Sequence, residues 1–158
     1  MRAPPEMLHE VITNTIYLDN AINEIISIYF HAYNFKEDEE GKSSTLEPVE
    51  RFHRLFLQEL GFSSKLKIIR EIAEPYKDKI VFPKDFDEKF RRFYLIRNIF
   101  AHSLYAKHVG SKEMPHKAPS NAKWDDLYKE HKEAFGELND FLMKKVYDIV
   151  LKDELGIW

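Results

Sequence analysis

Asp85-Phe86-Asp87-Glu88-Lys89-Phe90-Arg91-Arg92-Phe93-Tyr94-Leu95-Ile96-Arg97-Asn98-Ile99-Phe100-Ala101-His102 is the stretch whose reading decides the fold. Its rings at 86, 90, 93 and 94 recur at steps of three and four, which gathers them on one stripe of an α-helix. A strand would send Phe93 to the face opposite Phe86, Phe90 and Tyr94. Asp85 followed three residues later by Glu88 has the form of a capping box, and Pro83 closes the connection before it. The stretch reads as a helix that carries Arg97 to His102 in its last turns.

Outward in both directions the period stays helical. Leu8, Val11, Ile12, Thr15, Leu18, Ile22, Ile25, Ile26, Tyr29 and Phe30 predict one long amphipathic helix from residue 6 to about 33. Pro4 and Pro5 sit at its start, and Lys36 to Gly41 reads as an exposed acidic loop. Phe52, Leu55, Phe56 and Leu60 make a second helix beginning near Pro48, which Gly61 is expected to end in left-handed geometry. Ser63 or Ser64 caps a third, carrying Leu66, Ile69, Ile72, Ala73 and Tyr76.

Residues 106–122, with Gly110, Pro115 and Pro119, predict a long loop beside the end of the fourth helix. Ser120 or Asn121 caps a final long helix that turns Trp124, Leu127, His131, Phe135, Leu138, Phe141, Leu142, Val146, Ile149 and Val150 inward. No alternating strand pattern, hairpin signal or internal repeat appears. The expected fold is therefore all-α, an antiparallel bundle of about five helices, in one domain over 1–158.

Hydrophobic residues at 44% beside 32% charged residues exclude a disordered chain. The absence of cysteine excludes disulfides, thiolate zinc sites and cysteine nucleophiles. With no signal-peptide pattern and no apolar run approaching the roughly 18 residues of a spanning helix, a soluble cytoplasmic protein without membrane contact is expected. The net charge is −3, but residues 84–117 carry eight Lys/Arg against four acids, a local +4, and the remainder carries −7. The positive part of the chain surrounds Arg97 to His102. His102, His108 and His116, with Glu113 nearby, are spaced by six and eight residues, which matches no common zinc pattern, so no metal or cofactor is expected. Phosphate-cradling glycine loops, Gly-x-Ser-x-Gly elbows and His-Glu-x-x-His pairs are missing from the sequence.

Asn98 and His102 are four apart and share a helix face; Arg97 lies about 140° from His102, within the swing of its long stem. A cation, an amide and an imidazole can thus converge, and the small Ala101 lets a second helix approach. Near neutral pH an imidazole takes or gives a proton, and a guanidinium presents a fork of donors to phosphate oxygens. Together they suffice for transesterification of an RNA phosphodiester. The same residues also have a structural use, because a helix-terminal histidine complements the helix dipole and an asparagine can satisfy a backbone group.

Arg97-Asn98-x-x-Ala101-His102, late on a helix of an all-α chain, resembles the Arg-Asn-x-x-Ala-His form of the signature of HEPN domains. Leu18 to Phe30 and Gly61 to Ile69 are similar to segments of mannitol-repressor-like HEPN-like families. The resemblance implies a homodimeric helical bundle whose two motifs face one cleft and, in catalytic members, metal-independent RNA cleavage. Arg97 would hold phosphate, His102 would act as general acid/base, and Asn98 would orient the histidine or the substrate. Arg91, Arg92, Tyr105, Lys107 and His108 are the accompanying candidates for RNA contact. A toxin or phage-defence effector, with an antitoxin or regulatory protein partner, fits the catalytic branch. In the toxin branch a tyrosine stands two residues after the histidine, whereas here Tyr105 stands third. The mannitol-repressor-like branch implies the alternative, a non-catalytic regulatory or interaction module.

Overall fold

The computed structural model describes residues 2–37, 52, 56–103 and 121–155. These form four helical runs with no strand among the described residues. Helix α1 spans Pro5–Glu37, α2 spans Phe62–Ala73 with a 3-10 turn at Glu74–Tyr76, and α3 spans Phe86–Ser103. The last run is α4, Asn121–Phe141, a π-helical segment at Leu142–Tyr147, and α5, Asp148–Leu155. Most of the second expected helix and nearly all of the expected 106–122 loop lie outside the described residues.

Three local expectations are corrected. Helix α1 continues through Lys36 and Glu37, which the acidic run suggested would already be loop. Gly61 is not left-handed: at φ −67° and ψ 155° it is extended backbone and caps the start of α2. That helix begins at Phe62, ahead of Ser63 and Ser64, and no side chain caps it. Its apolar stripe, with Ile69, Ile72 and Ala73 buried, supplies what a cap would have added. The glycine and serines were read from residue type, which leaves the backbone angle at one position open.

The chain forms two compact units: residues 1–18 with 83–139, and residues 19–82 with 140–158. In the first, Glu10 meets Tyr128 and Lys132, and Thr15 meets His131, so α1 packs along α4. Arg92 pairs with Glu130 and Lys89 with Glu137, so α3 runs against α4. Val11, Ile96, Phe100 and Trp124 bury a common core with Ala3. In the second unit the buried residues include Ile22, Ile25, Ile26, Ile69, Ile72, Leu142 and Val146. There Phe82 lies between the Arg70 guanidinium, 4.4 Å from its ring, and Phe141 at 5.0 Å. Phe30, read as inward, is 54% exposed.

His131 sits fully buried in the first unit, stacked on Phe93 with ring centroids 4.1 Å apart. The Thr15 hydroxyl donates to the Val11 carbonyl oxygen at 2.8 Å, so its lone pair faces the His131 Nε2–H at 3.5 Å. Nδ1 is buried without a partner. A second ring proton would have no acceptor, and burial accordingly pushes the His131 pKa down to about 4.

Candidate functional site

The end of α3 is held on two sides. Ser103 is buried; its hydroxyl donates to the Phe100 carbonyl oxygen at 2.6 Å and accepts from the Ala3 backbone N–H at 3.4 Å. Phe100 meets Trp124 edge-on at 4.8 Å, which brings the start of α4 over the same turn. His102, between these anchored neighbours, is exposed.

At 100° per residue, Arg91, Asn98 and His102 fall within about 40° of one another on α3. All three are exposed, so they form an outward stripe. Arg97 is half-buried, and its Nη1 donates to Asn98 Oδ1 at 3.0 Å. The guanidinium is therefore turned toward the stripe, one helical turn before His102. The Asn98 oxygen is engaged by Arg97, and its amide nitrogen remains as a donor. The Nε of Arg97 is buried and unpaired. Arg91 lies about 16 Å along the axis from His102, the distance of a flanking phosphate and not of the same one.

Arg92 does not join them. It sits about 80° around the helix from His102, and both its Nε and Nη2 donate to the Glu130 carboxylate, at 2.7 and 2.9 Å. That carboxylate holds the guanidinium's pKa above its ordinary value. Lys89 next to it is shared between Glu137 and Asp85, the latter at 3.2 Å; the Glu137 bond raises the Lys89 pKa, and Lys89 in turn lowers that of Asp85. The groove here, about 500 Å³, presents Asp85, Glu88, Glu130, Glu133 and Glu137 against these two cations. A phosphate is repelled from it. Of the positive charge legible along the first half of α3, Lys89 and Arg92 are thus paired with acids, while Arg91 stays on the outward stripe.

Tyr105, Lys107 and His108, with His116 and Glu113, lie outside the described residues. Among the described residues no three metal-ligating side chains gather. No described helix is long and apolar enough to cross a membrane. Sequence reading missed the tie from Ala3 to Ser103, a contact between residues 100 apart that no local pattern announces.

The fold and the site define an all-α chain with an arginine, an asparagine and a histidine at an anchored helix end. Comparison with protein-family models, curated proteins and solved structures finds no match. Any family likeness therefore rests on the residues of the chain itself.

Proposed function

We propose that this chain is a metal-independent endoribonuclease of the HEPN type, acting as a homodimer. The observation that carries the reading is the guanidinium of Arg97 turned onto Asn98, beside an exposed His102 at the end of the same helix. In the reaction His102 takes the 2′-hydroxyl proton and the 2′-oxygen attacks phosphorus. The bond to the 5′-oxygen breaks, and that oxygen leaves with a proton from the imidazolium of the second copy. Arg97 holds the non-bridging oxygens, where charge gathers in the transition state. The products are a 2′,3′-cyclic phosphate and a 5′-hydroxyl end. A role in phage defence or as a toxin follows if cleavage is general.

Purified protein in EDTA is expected to cut single-stranded or structured RNA. His102→Ala lowers the rate by about 10²–10⁴, and Arg97→Ala by about 10²–10³. Equal inactivity of wild type and His102→Ala on diverse RNAs sinks the enzyme reading. The second reading, a regulatory or protein-interaction module, is favoured by the acidic groove between α3 and α4, which suits a basic protein surface better than a nucleic acid. Overexpression toxicity that survives both substitutions selects it.

A further inference from the structure

We infer that Arg2 is a second phosphate-binding arginine of the His102 site; this rests on the ribonuclease reading. Ala3 is buried with Val11, Ile96, Phe100 and Trp124, and its N–H is tied to Ser103 Oγ at 3.4 Å. Residue 2 is therefore one Cα step, about 3.8 Å, from a residue fastened to the neighbour of His102. Arg2 itself is exposed. A long side chain that starts there reaches the open end of α3.

The direction of approach gives the residue its use. Viewed down α3 with His102 at zero, Asn98 lies about 40° to one side and Ser103 about 100° to the other. Arg97 comes in over Asn98, and the backbone that carries Arg2 is tied on the Ser103 side. A guanidinium can thus be brought to each flank of the imidazole, the arrangement a phosphodiester needs if both its non-bridging oxygens are to be held while the histidine reaches the sugar. Exposed acids also lie in this part of the unit, Glu6 on α1 and Asp125 and Asp126 on α4. Glu6 stands on the opening turn of α1, and Asp125 and Asp126 follow Trp124, which meets Phe100 on the same end of α3 to which the Ala3 tie fastens the backbone of Arg2. Ser103 is the positioning residue, because its hydroxyl fixes the backbone that carries Arg2.

The test is binding of a single-stranded RNA oligonucleotide, followed by fluorescence anisotropy in EDTA across a salt series, in the His102→Ala background. Arg2→Ala is expected to weaken binding about tenfold and to reduce the salt slope by about 0.7, the loss of one phosphate contact on a single strand. Arg2→Lys keeps the slope. Ser103→Ala weakens binding while Arg2 is present and has little further effect once it is gone, a coupling that general loosening of the fold does not produce. Unchanged affinity and slope in Arg2→Ala overturn the inference; if wild-type protein still cuts RNA in a His102-dependent way, the ribonuclease reading stands without it. If the wild type neither binds nor cuts RNA, both fall.

Discussion

His131 shows how one buried side chain sets the acid limit of the fold. The unfolded chain binds a proton on this ring near pH 6.5, while the folded chain resists it until about pH 4. Its contribution is therefore complete above pH 6.5 and is lost as the pH falls toward 4, by on the order of 3 kcal/mol. Glu10, lowered by the Tyr128 hydroxyl and then by Lys132, adds a loss of the same sign below its ordinary range. Urea unfolding at pH 7 and 4.5 is expected to show the fall, and His131→Leu to flatten most of it. Lys65 is the comparable case in the second unit: it is 2% exposed, with Nζ 2.6 Å from Asp19 Oδ1. Asp19→Ala strands a buried ammonium and is expected to cost about 3 kcal/mol, whereas Lys65→Met, which removes the charge and keeps the stem, stays within about 1 kcal/mol of wild type. Chemical denaturation of both variants checks the asymmetry. The inward face of His131 was readable from its helical register; that Thr15 meets Nε2 while Nδ1 has no partner was not, because it depends on how the helices pack around the ring.

At the scale of elements, the apolar period placed the helices well and their ends poorly. The stripe of Phe86, Phe90, Phe93 and Phe100 is buried as its spacing requires, since burial repeats over many residues and each confirms the next. A boundary rests on one or two backbone angles, and at Gly61 the expected sign was wrong. The same contrast separates Arg91 from Arg92. Both are basic in the sequence, but the second faces α4, where Glu130 stands 38 residues away. Opening that tie with Glu130→Gln is expected to cost less than about 1 kcal/mol, because the pair is partly exposed. It also releases Arg92 and removes a carboxylate, so RNA should bind about two- to fivefold more tightly, the worth of one exposed ion contact. Denaturation and anisotropy on the one variant measure both effects; unchanged affinity would place α3's first half away from the RNA path.

For the whole molecule, a net charge of −3 gives no broad attraction to nucleic acid, and recognition has to be local. The sequence made the all-α class and the Arg97, Asn98 and His102 grouping legible, because helical period and a one-turn separation are properties of neighbours along the chain. It could not show which cations are cancelled by distant acids, nor that Ala3 closes on Ser103, because both depend on how helices pair. What remains standing is the outward stripe of α3, from Arg91 to Arg97, with the His102 imidazole in the open. The most direct measurement is cleavage in EDTA of one RNA made in two forms, all-ribose and with a single 2′-deoxy residue at the cut position, with the end groups identified. Wild-type protein should cut the first to a 2′,3′-cyclic phosphate and spare the second at that position, and His102→Ala should cut neither. Cleavage of the 2′-deoxy form at the same bond, or undiminished cleavage by His102→Ala, would contradict a transesterification run by this helix end.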